Sequence, residues 1–372
     1  MRVIFTCGGT AGHVNPALAL AGYIKERQPE AAILFVGTPD GMERDLVEKA
    51  GYDFRGVEIS NFHRSIAPRE VRHNLRTLRT MVSSRAAARA ILREFAPDLV
   101  VGTGGYASYP VVRAAALAGI PTAVHESNIV PGLATKLLEK YARRIMVGFE
   151  ECRAHYRRGE KVVVTGTPVR GDFFALTPAQ ARQKLGLADG TPLVVSFWGS
   201  LGAAGMNRIM VEMFALEEKN GRPFHHVHAV GSAGWQTVSR ELERRGLACR
   251  PELDVREYIY DMALYMRAAD LVICRGGAST ISEITALGKP ALIVPSPYVT
   301  NNHQEKNARA LERRGGAVVL RESECTPEVL YDTVCTLLSD PSRRADMARC
   351  MAQIGVPDAT ARLYETVMAL VR

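Results

Sequence analysis

No run of about 18 uncharged apolar residues occurs in this 372-residue chain, which excludes a membrane-spanning helix. The start, MRVIFTCGGT, has neither the apolar length nor the small-residue cleavage site of a secretory signal, so a cytoplasmic chain is expected. Cysteine is sparse and unpatterned: seven residues, an odd number, with no CxxC pair. That argues against a disulfide frame or a zinc site, and Cys7 and Cys274, at the ends of apolar runs, read as reduced core residues. A P-loop lysine signature, HExxH and GxSxG are all missing. No Asp-x-Asp pair follows a strand, so no Mg²⁺ is required.

Acidic charge is also short in one place. Lys and Arg outnumber Asp and Glu by eight, and residues 55–95 hold nine arginines against three acids, six of that excess. Such a segment points to an anionic surface nearby. Within it Val71, Leu75, Leu78 and Val82 repeat at helical spacing, with Arg69, Arg72, Arg76 and Arg79 beside them, so a helix over about 69–95 is expected. Its apolar stripe either packs on a sheet, leaving the arginines solvated, or docks on a membrane.

Short apolar runs alternate with helical periodicity along the whole chain. Val3–Cys7, Ile33–Val36, Leu99–Val101, Thr122–His125 and Arg144–Val147 read as strands in the first half; Leu193–Phe197, Val227–Val230, 270–274 and 291–294 do so in the second. The first helix is expected to start at Asn15, with Pro16 at its first position. The last 45 residues read as helical, broken at Pro341 and Pro357. Strands alternating with helices imply parallel sheets, with ligands at the carboxyl ends of the strands. Four glycine loops follow strands, at 8–12, 102–105, 199–202 and 276–277. The length exceeds one compact core. Two doubly wound α/β domains facing each other across a cleft are expected, with a junction near Thr165-Gly166-Thr167-Pro168.

The densest stretch is 270–307. A buried strand runs into Gly276-Gly277, a polar run Ala278-Ser279-Thr280, and a helix carrying Ile281, Ile284 and Leu287 that Gly288 stops. The glycines let a ligand approach the backbone, and the helix start offers free N–H groups to an anion such as phosphate. Glu283, one turn in, either accepts hydrogen bonds from sugar hydroxyls or sits on a solvated face. A nicotinamide-dependent oxidoreductase would need G-x-G-x-x-G after the first strand and an acid ending the second. The turn here is GGTAGH and the second strand ends Val36-Gly37-Thr38, so that class does not fit. His13, in the first loop, either takes a proton from an attacking hydroxyl or caps its helix. His125-Glu126-Ser127-Asn128 is more polar than a turn requires. Asn301, Asn302, His303, Gln304 and Asn307 form a neutral hydrogen-bonding cluster that suits sugar hydroxyls.

GGTAGHVNPALALA, GGYASYP, HESNIVPG, GTPVR, GSLGA, CRGGASTISEITALGKPALIVP and HQEKNA, in this order over nearly the whole chain, resemble the MurG family. The resemblance implies a GT-B fold of two Rossmann-like domains. Residues 1–166 would form an acceptor and membrane-side domain, 167–356 a UDP-sugar-binding domain, and 357–372 a helix returning to the first. It implies inverting transfer of N-acetylglucosamine from its UDP ester to the muramyl 4-hydroxyl of lipid I, giving lipid II. No metal, cofactor or nucleic acid is called for, and the place of action would be the cytoplasmic face of an anionic plasma membrane.

By position, the resemblance implies that Thr10, Ala11 and Gly12 lie where the two substrates meet and that Asn128 faces the donor sugar. Arg170, Ser200 and Ile259 would surround the uridine and its phosphates. Ala278, Ser279, Thr280, Ile281, Ser282 and Glu283 would form the nucleotide helix, with Glu283 on the ribose, and Gln304 would read the sugar. His13 is the implied base and, with Glu283, the implied catalytic pair. Gly104, Tyr106, Arg72, Leu75, Arg76 and Arg79 belong to the acceptor and membrane side. Ala11 and Trp198 stand where glycine is usual and His303 where glutamine is frequent; Trp198 is expected to alter access near Ser200. Two other classes stay open: a UDP-N-acetylglucosamine epimerase of similar architecture, and a non-catalytic nucleotide-sugar binder.

Overall fold

β1 (Arg2–Thr6) alternates its side chains between two faces of a sheet, and both faces are covered by helices. Val3 and Phe5 enter one core with Leu20, Ala21 and Ile24 of α1 (Ala11–Arg27). Ile4 enters the other core with Ala88 and Leu92, from the helix over residues 83–95 (α3), and with Val111 and Val112. The computed structural model describes residues 1–59, 83–187, 190–221, 223–248 and 250–371. Arg69, Val71, Arg72, Leu75, Arg76, Leu78, Arg79 and Val82 lie outside the described residues.

The chain divides into two compact units, Met1–Val169 with Pro357–Arg372, and Arg170–Val356. In the first, seven parallel strands run in the order β3-β2-β1-β4-β5-β6-β7. They are β1, β2 (Ala32–Gly37), β3 (Asp53–Gly56), β4 (Leu99–Gly102), β5 (Thr122–Glu126), β6 (Arg144–Val147) and β7 (Val162–Val164). The intervening helices are α1, α2 (Met42–Lys49), α3, α4 (Ser108–Leu117) and α5 (Leu133–Leu138). From the far end of the chain, α14 (Ala359–Met368) inserts Leu363 and Val367 beside α1. There Gln28 Nε2 donates to Tyr364 Oη at 3.2 Å.

The second unit carries six parallel strands in the order β10-β9-β8-β11-β12-β13. They are β8 (Leu193–Phe197), β9 (His225–Ala229), β10 (Leu253–Arg256), β11 (Leu271–Cys274), β12 (Ala291–Ile293) and β13 (Ala317–Val319). Its helices are α6 (Pro178–Lys184), α7 (Ala204–Lys219), α8 (Trp235–Arg244), α9 (Met262–Ala268), α10 (Ala278–Ala286), α11 (His303–Arg313), α12 (Pro327–Ser339) and α13 (Pro341–Ile354).

In each sheet the strand order reverses at one point, between β1 and β4 and between β8 and β11. Such switch points open a crevice at the carboxyl ends of the strands. All four glycine loops of the sequence fall there, two at each switch point.

Local differences from the sequence reading have simple causes. α1 begins at Ala11, not beyond Asn15, because Gly9 at φ +85 already breaks the backbone. Pro16 therefore sits inside the helix, where it forfeits the bond its missing N–H would make to the Gly12 carbonyl and its ring crowds that carbonyl. The strands that escaped notice, β3, β7, β10 and β13, are the four sheet edges, where a strand is only partly buried, unlike the equally short inner strands β4, β6, β11 and β12. Ala278-Ser279-Thr280 is not a run before the helix but the first turn of α10.

Candidate active-site loops

In the first unit, β1 ends at Thr6 and the chain turns at Gly8-Gly9 into α1. The β4 loop rests directly on this turn. A Cβ on Gly105 would lie 2.2 Å from Gly8 O, and Gly105 has φ +83, so no other residue fits there. The neighbouring Gly104 lies under the His13 ring, 2.5 Å from ring Cδ2 to where its Cβ would be. These glycines fit loop to loop, a use the sequence reading did not foresee. Gly9 does not: among the described residues nothing lies within 4 Å of its missing Cβ, which leaves room there for a ligand.

His13 stands in the first turn of α1, partly exposed. Its Nδ1 is 2.8 Å from Gly8 O. A carbonyl only accepts, so Nδ1 carries a proton, and whenever the ring is neutral its lone pair is at Nε2. Thr10 Oγ1 lies 3.3 Å from the same Nδ1, and Thr103 Oγ1 donates to His13 O at 2.6 Å. Ala11 and Gly12 begin the helix beside it, and Thr10 does not cap it. Tyr106, 50% exposed, projects from the β4 loop.

The polar run after β5 divides by role. His125 is fully buried, 3.0 Å from Gly166 O, and burial lowers its pKa, so it is neutral and structural. Glu126 is also buried. Its carboxylate accepts the Asn128 backbone N–H and side-chain Nδ2, both at 3.0 Å, together with Gly132 N–H at 2.9 Å and the Thr135 hydroxyl. Asn128 is thereby fixed in orientation. A second buried carboxylate was missed by the sequence reading. Glu43, in the first turn of α2, accepts Gly9 N–H at 3.3 Å, Thr38 N–H at 2.9 Å and the Thr38 hydroxyl. Burial alone would raise its pKa; the hydrogen bonds from Thr38 and Gly9 outweigh this and hold it below the usual carboxylate range. In sequence it reads as an ordinary acid at a helix start, so nothing local marks it.

In the second unit, α10 follows β11 through Gly276-Gly277, and no side chain caps its first turn. The N–H groups of Ala278, Ser279 and Thr280 are left without helical partners. Gly276 admits the backbone of α11, its Cβ position lying 2.3 Å from Gln304 O, and Asn307 Nδ2 donates to Gly276 O at 3.2 Å. Gln304 is so held beside this loop, its Oε1 accepting Ser296 N–H at 2.9 Å. Ser279 and Thr280 are partly exposed, whereas Ser282 Oγ donates back to Ala278 O at 2.9 Å and Ile281 is core. Ile281 and the buried Ile259 therefore offer a ligand their backbone only.

Glu283 lies a turn and a half into α10. Its carboxylate has no hydrogen-bond partner among the described residues. Burial pushes its pKa up to about 7, with the Arg170 guanidinium pulling the other way. Arg170 itself pairs with Asp172 at 3.2 Å and is largely exposed. In the β8 loop Gly199, at φ +91, Ser200 and Leu201 face outward, and Gly202 packs on the turn after β9, its Cβ position 2.1 Å from Val230 O. Trp198 points the opposite way. It is 4% exposed, edge-on to His228 and under the Arg275 guanidinium at 5.4 Å. It belongs to the core and does not cover Ser200, contrary to expectation.

The chain matches the model of the glycosyltransferase family 28 N-terminal domain over residues 3–147 and that of the family 28 C-terminal domain over 193–363. It is 41% identical, over all of this chain and 99% of the other, to the UDP-N-acetylglucosamine--N-acetylmuramyl-(pentapeptide) pyrophosphoryl-undecaprenol N-acetylglucosamine transferase of Acetivibrio thermocellus. Among solved structures it is similar to MurG of Acinetobacter baumannii, with TM-score 0.78 and 26% identity over 99% of both chains. A UDP-GlcNAc 2-epimerase of Neisseria meningitidis matches with TM-score 0.67 but 14% identity, over 99% of this chain and 100% of that one, which is a likeness of fold alone. Two parallel sheets with alternating helices, switch-point glycine loops and full-length similarity agree: this chain has the GT-B fold and belongs to the MurG family of glycosyltransferases.

Proposed function

We propose that the chain transfers N-acetylglucosamine from UDP-N-acetylglucosamine to the muramyl 4-hydroxyl of lipid I, with inversion, forming lipid II. The observation that carries the division of labour is a complementary pair of polar features. The second unit has an uncapped helix start beside a carboxyl that has no hydrogen-bond partner among the described residues. The first has a histidine whose tautomer leaves Nε2 open. The diphosphate of the donor rests on the N–H groups of Ala278, Ser279 and Thr280, which also stabilise the charge that grows on it as UDP departs. Glu283 accepts hydrogen bonds from the ribose hydroxyls; Ser200, Arg170 and the Ile259 backbone surround the uridine and phosphates, and Gln304 and Asn128 address the sugar.

In the reacting complex, His13 Nε2 takes the proton of the acceptor hydroxyl as its oxygen bonds to the anomeric carbon and the bond from that carbon to the phosphate oxygen breaks. Thr10, Ala11, Gly12, Gly104 and Tyr106 flank that step. Residues 1–166 thus act on the acceptor and 167–356 on the donor, with 357–372 completing the first. Radiolabelled donor with a lipid I analogue, scored for the disaccharide lipid, tests the reaction. Donor consumption that yields an epimerised sugar, or binding with no turnover, refutes it.

No helix among the described residues is long and apolar enough to cross a membrane. The lipid acceptor then calls for peripheral docking on the cytoplasmic face, which we assign to Arg72, Leu75, Arg76 and Arg79. At about 1 kcal/mol for each basic residue near an anionic surface, the triple change Arg72→Glu/Arg76→Glu/Arg79→Glu should abolish co-sedimentation with anionic vesicles at low salt. Equal binding by a folded triple variant sinks this assignment.

A further inference from the structure

The base assigned to His13 has an unexplained support. Gly8 O and Gly9 N–H are the two ends of one planar peptide group. Its carbonyl receives His13 Nδ1–H at 2.8 Å, and its N–H is given to the Glu43 carboxylate at 3.3 Å. A trans peptide points these groups in opposite directions, so Glu43 and His13 face each other through it. Glu43 is fully buried and anchored on Thr38, so it cannot swing away, and Gly105 packs on the same peptide from the β4 loop. Hydrogen bonds in such a chain polarise one another: an anion drawing on the N–H increases the negative charge on the carbonyl oxygen. That strengthens its hold on Nδ1–H and keeps the lone pair at Nε2.

We propose that Glu43 is a positioning residue for catalysis, acting on His13 through the Gly8–Gly9 peptide. It fixes the ring's tautomer and orientation without touching substrate. The proposal rests on the reading of His13 as base, and it differs from a loop-bracing role in what it predicts for the imidazole.

The test is Glu43→Gln in the full chain. Gln Oε1 keeps the bonds from Thr38, while its NH₂ meets Gly9 N–H, donor against donor, and the relay breaks at one place. We expect kcat to fall about ten- to hundredfold, the scale for losing the partner that orients a functional histidine, with donor affinity held within a few fold. In ¹⁵N-histidine NMR of the wild type, His13 should be the Nδ1–H tautomer when neutral; in the variant the Nε2–H tautomer should appear. Three results overturn the proposal: unchanged kcat, a fall in kcat with an unmoved tautomer, or an Nε2–H tautomer already in the wild type. The last needs no variant and decides the matter even if Glu43→Gln fails to fold. Failure of the underlying reading looks different: His13→Ala then keeps its kcat, whatever the NMR shows.

Discussion

Both units repeat one motif, strand, glycine loop and uncapped helix, yet they secure it with opposite chemistry. In the first, buried carboxylates accept backbone N–H groups: Glu43 holds Gly9 and Glu126 holds Asn128 and Gly132. In the second, neutral amides donate to carbonyls: Asn207 Nδ2 to Val230 O at 3.0 Å and Asn307 Nδ2 to Gly276 O at 3.2 Å. A carboxylate that accepts a loop N–H removes that N–H from any ligand and places a negative charge behind it. An amide that donates to a carbonyl leaves the N–H groups of the helix start available. The second arrangement suits a diphosphate, and the first suits a neutral base. The groups proposed for chemistry follow suit, an imidazole in one unit and, in the other, a carboxyl without a hydrogen-bond partner among the described residues.

The largest effect expected from this contrast is at His13. His13→Ala should lower kcat by about 10²–10⁴ with donor affinity nearly unchanged. A kcat within a few fold of wild type in a disaccharide-lipid assay would make the imidazole a structural group. Next come the glycines that fit loop to loop. Gly105→Ala forces a Cβ onto Gly8 O at positive φ and should cost roughly 2 kcal/mol or more, whereas Gly9→Ala, with open space around it, should cost only about 1 kcal/mol for its backbone. Urea unfolding of the two variants compares them, and equal losses would contradict the packing role.

Glu283→Ala should weaken donor binding about 10- to 150-fold, from roughly 1.5–3 kcal/mol for a lost charged hydrogen-bond partner, while slowing bound-state chemistry less. Calorimetric donor affinity equal to wild type would remove Glu283 from the site. The smallest effect is one of pH. Glu283 sits at about 7 in the folded chain against 4.5 unperturbed. Across that window the folded chain keeps a proton that the unfolded chain has released, so stability falls as pH rises. Wild-type Tm measured without donor should therefore drop more between pH 5 and pH 7.5 than that of Glu283→Gln; parallel curves would mean the carboxyl is not held protonated.

Much of this was legible in order along the chain. The strands over Arg144–Val147 and Leu193–Phe197 fell on the residues that the apolar runs marked, because a strand covered on both faces is apolar over most of its length; Arg144 is the exposed first residue of its strand, and the buried Ser196 is hydrogen-bonded to His226 and His228. Pro341 opens α13 behind the Asp340 cap, where a missing N–H costs nothing. The start of α1 was misplaced, since Pro16 looked like a beginning when Gly9 had already made one.

By itself the sequence determined the alternation of strand and helix, the four glycine loops and, through their residues, the family. It also determined that His13 and Glu283 follow such loops. Only the tertiary structure decided that the four loops fall in pairs at two switch points, that Gly105 and Gly202 serve contact between loops, and that Trp198 turns into the core. Only it placed Glu43 behind the peptide that holds His13. The physical reason is range. Periodicity and turn chemistry are properties of neighbouring residues, but Glu43 and Gly9 are 34 positions apart and Asn307 and Gly276 are 31. A hydrogen bond over that distance exists only once the sheet has brought two strand ends side by side, and no local pattern records it.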